Sequence, residues 1–150
     1  MIINSGDFTI FETSIPTATI DAYLLTDYQV NAVEKFFLNV DRPSPELARW
    51  FQVNKEDQAA FITAWNPSGK KTSDNINHIA EQKLIVEIES RDLSYLKGES
   101  IDPSGLWPSE PSLLVFGISI ESTKLLVKQF SQDGFIYIGS DTTPQLILLR

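Results

Sequence analysis

Leu113-Leu114-Val115-Phe116-Gly117-Ile118-Ser119 decides the fold: an uninterrupted apolar run, then a residue suited to capping a helix. A run of this length with no polar alternation reads as a strand buried on both faces. Ser119 then caps a helix carrying Thr123, Leu126, Val127 and Phe130, which stops at Asp133-Gly134. Downstream, Phe135-Ile136-Tyr137-Ile138, a turn through Gly139 to Thr143, and Leu146 to Leu149 form a hairpin. Upstream, Ala59-Ala60-Phe61-Ile62-Thr63-Ala64-Trp65 is a second buried strand, ended by the turn residues Asn66-Pro67-Ser68-Gly69.

Between these two strands Ser73 caps a long helix over 74–92, with Ile76, Ile79, Ala80, Leu84 and Ile88 at helical spacing. Leu93 to Lys97 extends as a strand, and 98–111, rich in Pro, Gly, Ser and Asp, reads as the longest irregular stretch. Toward the N-terminus, Ser44-Pro45-Glu46 opens a helix bearing Leu47, Ala48, Trp50 and Phe51. Phe36 to Val40 is a strand, and Ile20, Tyr23, Leu24 and Tyr28 share a helical face behind Thr19 as cap. Phe8 to Phe11 alternates with polar neighbours and reads as a short strand or an arm. Strands alternating with helices predict an α/β (or α+β) fold in which a central mixed sheet carries helices and ends in a C-terminal β-hairpin. Residues 1–150 are read as a single domain, with 1–16 an N-terminal arm or edge strand.

Composition narrows the function. The net charge of −8 repels phosphate backbones and anionic bilayers, so neither a nucleic-acid nor a membrane partner is expected. With no cysteine and one histidine, His78, a transition-metal site and a serine–histidine triad both lack parts. The cysteine-free composition fits a reducing compartment, and the cytoplasm is the expected location.

Two stretches exceed what packing requires. In the first, Thr63, Trp65 and Asn66 end a buried strand, Lys70-Lys71 forms an adjacent basic pair, and Ser73 opens a helix whose free N–H groups suit an anion. The same Asn66-Pro67-Ser68-Gly69 also reads as a plain turn with solvated lysines. In the second, Glu99, Asp102 and Glu110 accompany Trp107. These carboxylates suit Mg²⁺ or divided acid and base roles. Asp102-Pro103-Ser104-Gly105 equally fits a type I turn. Glu110, between Ser109 and Pro111, has no such local role. The candidate catalytic groups are therefore Glu110 and Asp102. The candidate ligand-binding residues are Thr63, Trp65, Asn66, Lys70, Lys71, Ser73, Glu99 and Trp107.

Thr63-Ala64-Trp65-Asn66-Pro67, Gly98-Glu99, Asp102-Pro103 with Gly105 and Trp107, Glu110-Pro111-Ser112, Val115 and Gly117-Ile118 together resemble the bacterial family known as domain of unknown function 3293. The similarity runs from about Ala22 onward, with Tyr137 where family members often carry tryptophan. The resemblance implies one domain and singles out both loops, but supplies no reaction. A strand ending in Asn-Pro-Ser/Gly is also similar to the first motif of uracil- and thymine-DNA glycosylases. Their histidine-bearing second motif has no counterpart, and the acidic charge opposes DNA. The expectation is a site for a small anionic or nucleotide-like ligand, with Asn66, Trp107 and Glu110 around one hollow. The alternative is a non-catalytic module whose acidic surface docks a basic protein partner.

Overall fold

The computed structural model describes residues 2–3 and 13–150. The strand or arm expected at Phe8 to Phe11 lies outside the described residues. Along the chain run β1 (Ile2–Ile3), α1 (Thr17–Leu25), β2 (Asp27–Val30), β3 (Phe36–Leu38), α2 (Pro45–Asn54) and β4 (Ala59–Ile62). After a 3₁₀ turn at Pro67–Gly69 come α3 (Asp74–Ser90), β5 (Tyr95–Ile101), β6 (Glu110–Phe116), α4 (Ile120–Gln129), β7 (Gly134–Ile138) and β8 (Pro144–Leu148). The strands form one eight-stranded sheet in the order β1-β8-β7-β4-β6-β5-β2-β3.

The α/β class, the helices on a central sheet and the C-terminal hairpin are as expected; β7 and β8 pair from Gly134 opposite Leu148 to Ile138 opposite Pro144. The expected mixture of parallel and antiparallel pairs gives way to antiparallel pairing between all neighbours. Of the two class labels, α+β is the closer. Three serines cap helices as their positions predict: Ser44 accepts from Leu47 N, Ser73 from Ile76 N and Ser119 from Ser122 N.

Each face of the sheet carries its own core. Phe61, Leu114, Phe116, Ile136 and Leu146 face α2, with Ile20, Tyr23 and Leu24 of α1 packed against the same cluster. Ala60, Ile62, Leu113 and Val115 face Leu84, Ile85 and Ile88 of α3 and Leu126 and Val127 of α4. The alternation along β4 and β6 sorts neighbouring residues between these two cores.

Four expectations need correction. Thr19 does not cap α1, whose N-cap is Pro16, and Tyr28 stands in β2 rather than on a helix. The helical face therefore ends at Leu24, and Tyr28 is held by the ladder, opposite Leu38 and Ser100. Residues 98–101 and 110–111 are strand, so the irregular stretch shrinks to 102–109. Pairing overrides weak strand propensity there, since Ser100 is opposite both Tyr28 and Glu110. Finally, Ile76 and Ile79 are exposed, while Asn77 is buried.

Gly98 is required where it stands. A Cβ built on it would lie 2.3 Å from the Gln29 carbonyl oxygen and 3.0 Å from the Phe61 ring. Only a bare backbone lets β2 and that ring close over β5.

Candidate functional site

β4 and β5 both flank β6 in antiparallel pairing, so they run in the same direction. The loops that follow them must leave the sheet at the same end. β2, β6 and β7 begin at that end, and the last turn of α1 lies over it. Together they enclose a cavity of about 130 Å³.

Its walls include Tyr23, Tyr28, Phe61, Trp65, Phe135 and Leu146, with Trp107 and Pro108 from the 102–109 loop. Above it, Tyr28 Oη of β2 ties α1 to the sheet by donating to the Tyr23 carbonyl (2.7 Å), while Thr26 Oγ1 closes the end of α1 by donating to that of Ala22 (2.6 Å). Thr63, Asn66, Ser100, Asp102, Glu110, Ser112, Gln132 and Asp133 supply the polar lining. Asn66, Trp107 and Glu110 thus border one hollow, though they lie far apart in the chain.

Asn66 is fixed from several sides. Its backbone is left-handed (φ 49°, ψ 65°), a conformation that asparagine tolerates better than most residues. Its N–H donates to Asn77 Oδ1 at 2.9 Å. Its side-chain oxygen accepts from Thr72 N (3.0 Å) and from Asn77 Nδ2 (2.9 Å). With the oxygen occupied, Nδ2 is left to donate to Glu110 Oε2, at 3.0 Å. Asn77, only 1% exposed, also donates to the Thr72 carbonyl at 3.1 Å. This explains the buried polar residue on α3: it ties the loop to the helix.

Glu110 begins β6 and meets no arginine or lysine among the described residues. Burial raises its pKa above the ordinary glutamate range, and the Asn66 hydrogen bond partly offsets that rise. Oε1 receives no hydrogen bond from the described residues. Tyr23 is pushed up to about 12, first by burial and then by the charges of Asp133 and Glu110. Its phenol stays protonated at neutral pH. Asp133 is also in the lining but is already neutralised: Arg150 grips it through Nε (2.6 Å) and Nη2 (3.0 Å). The indole N–H of Trp65 is buried with no hydrogen-bond partner among the described residues, and its ring stands edge-to-face with His78 at 5.1 Å.

The remaining candidates separate. Asp102 is at the rim with its carboxylate closed on its own turn. Oδ1 accepts from Ser104 N (2.9 Å) and Ser104 Oγ (2.7 Å), and Oδ2 from Leu106 N (3.0 Å). The Ser104 side chain leads these bonds in lowering its pKa. Glu99 lies one residue from Ser100 on β5 and so points to the opposite face, where Gln29 Nε2 donates to it at 3.2 Å. Lys70, Lys71 and Ser73 are exposed and lie outside the lining, and the Ser73 hydroxyl is engaged in capping α3. Among the described residues no group of three or more His, Asp or Glu is placed to hold a metal ion. The pleat thus divides the three carboxylates considered for Mg²⁺. Sequence reasoning missed Tyr23, Gln132 and Asp133. Asp133 had a signal, the Asp133-Gly134 helix stop, but its link to Arg150 is a tertiary contact.

Residues 62–134 match the model of the family described as Protein of unknown function (DUF3293). The expected resemblance is therefore shown over that segment. The DUF3293-like segment contains Asn66, Trp107, Glu110 and Asp133, while the α1 residues over the cavity lie outside it. No curated protein and no solved structure matches the chain. No helix among the described residues is long and apolar enough to cross a membrane.

Proposed function

We propose that this protein is a cytoplasmic small-molecule-binding domain, and that its ligand occupies the cavity at the shared end of β4 and β5. One observation carries the reading: Glu110 is half-buried in an aromatic-walled hollow, oriented by Asn66 and neutralised by no cation among the described residues. Structural carboxylates in proteins are normally paired or solvated, and an oriented one without a counter-charge in a cavity is the usual mark of a binding or acid–base group. Any processing of the ligand would use Glu110 as the proton acceptor and the neutral Tyr23 phenol as a donor.

The anionic or nucleotide-like ligand suggested by Lys70 and Lys71 draws no support from the lining, which contains neither lysine. The second reading, an interaction module, is favoured by the exposed Ile76, Ile79 and Val86 on α3. That surface predicts a salt-insensitive apolar contact more than an acidic docking face.

Protein-observed NMR with a small-fragment library discriminates the two. Hits should shift the indole N–H resonances of Trp65 and Trp107, and Glu110→Ala should abolish those shifts. Hits confined to α3 around Ile79 and Val86 would overturn the cavity reading in favour of the interaction surface.

A further inference from the structure

We propose that the ligand is a small organic cation, an alkylammonium or amidinium, held by Glu110 Oε1 and by the faces of the surrounding aromatic rings. The inference rests on the cavity being the binding site and concerns only the chemistry it selects.

Three features point to a cation. The first is sign. No lysine or arginine among the described residues lines the cavity, and Arg150, which grips the lining residue Asp133, has its Nε and Nη2 committed to that carboxylate. Asp102 has its carboxylate closed in its own turn. Glu110 and Asp102 meet only neutral donors and no cation among the described residues, so the hollow carries net negative charge. In a partly dehydrated site that charge acts through a lower effective dielectric than water, which strengthens attraction of a cation and repulsion of an anion alike.

The second feature is the polarity of the available atoms. Asn66 presents its amide nitrogen to Glu110 and keeps its oxygen for Thr72 and Asn77. Glu110 lines the cavity with Oε1 unbonded among the described residues, an acceptor open to a donor, and ammonium and amidinium groups carry several. The third is the wall. Tyr23, Tyr28, Phe61, Trp65 and Trp107 line the space. Aromatic rings present electron-rich faces that attract cations within about 6 Å of the centroid, most strongly where water is excluded. The volume of about 130 Å³ limits the occupant to a few heavy atoms or to the head of a longer molecule whose tail leaves past Trp107.

The test compares probes of matched shape on the full chain. Acetamidinium is set against acetamide, butylammonium against butanol, and acetate and inorganic phosphate serve as anions, with Kd read by calorimetry and the two indole resonances followed by NMR. Each cation should bind at least ten-fold more tightly than its neutral isostere, and the anions should not displace it. Glu110→Gln should erase that ratio. Trp107→Ala, an exposed position where folding is not at stake, should weaken cation binding several-fold while sparing the neutral probes. Equal or tighter binding of acetamide, butanol or phosphate, with the indoles still responding, overturns the cation assignment and leaves the cavity standing. If no probe shifts either indole, both the assignment and the cavity reading fall.

Discussion

The two loops that meet at the cavity are built on opposite plans. The 63–73 segment is tied outward: Asn66 and Thr72 bond to Asn77 of α3, Thr63 Oγ1 donates to the Pro111 carbonyl at 2.8 Å, and Gln132 Nε2 reaches the Trp65 carbonyl at 3.1 Å. The 102–109 segment is tied inward, through Asp102 to Ser104, Gly105 and Leu106, and leaves Leu106 and Trp107 exposed at 83% and 52%. A loop anchored to several elements can aim a side chain to within a fraction of an ångström. A self-closed loop holds its own shape but does not fix its place against the rest of the molecule. The first loop is suited to orient Glu110, and the second to cover whatever Glu110 binds.

That contrast can be broken most severely at Asn77. Asn77→Ala removes the partner of three groups in the first loop, and leaving buried polar groups unsatisfied typically costs ~1–3 kcal/mol each before relaxation. A loss of about 3 kcal/mol in urea denaturation, with reduced amide protection across 66–72, is expected. Unchanged stability would mean that the loop is held by something else. Asn66→Gly is milder, because glycine accepts the left-handed backbone but cannot orient Glu110. A loss of about 1–2 kcal/mol is expected, together with weakened ligand shifts at Trp65.

The effect of Glu110→Gln is smaller and depends on pH. Burial raises the folded-state pKa of Glu110 above its unfolded value, so the folded protein holds that proton more tightly. Its contribution is then fully present below the unfolded pKa and is lost as pH rises through the folded one. The variant should be more stable than the parent at pH 7, and the gap should close on acidification below the ordinary glutamate range. A gap independent of pH would show that ionisation of Glu110 is not the cause. Tyr23 obeys the same sign at the alkaline end. With its pKa pushed up to about 12, its phenol should resist ionisation at pH 10–11 in an ultraviolet titration, and Tyr23→Phe should lessen the stability loss above pH 10. Asp102→Asn should matter least: Tm changes little, and any change in protease cleavage is confined to 102–109. A large loss of ligand affinity in this variant would make the second loop more than a cover.

Much of the fold can be read from local chemistry. Ser44, Ser73 and Ser119 cap helices because a hydroxyl before a helical run satisfies N–H groups wherever the helix goes. The runs Ala59 to Ile62 and Leu113 to Phe116 are buried in full because nothing in them can face water. Local reading fails where pairing decides. Gly98, Ser100, Glu110 and Pro111 have the composition of a loop, yet β2, β5 and β6 hold them in register. Pro111 is tolerated because β4 pairs with β6 only from Leu113 onward, so its missing N–H breaks no bond on that side.

Asn66, Trp65, Trp107 and Glu110 could be singled out in the chain because each is costlier or more specialised than a loop or strand end requires. Residue type alone, however, also gave claims to Asp102, Glu99 and the two lysines. Only the tertiary structure divides these groups. The pleat sends Glu99 and Glu110 to opposite faces, the turn occupies Asp102, and the antiparallel register brings the ends of β4 and β5 to one side. Sequence by itself determined the helices, the apolar strands β4 and β6 and the three serine caps, since those depend on neighbours within a few residues. Which carboxylate faces a cavity depends on strand direction and on burial by distant residues, such as Tyr23 and Asp133, that no local pattern encodes.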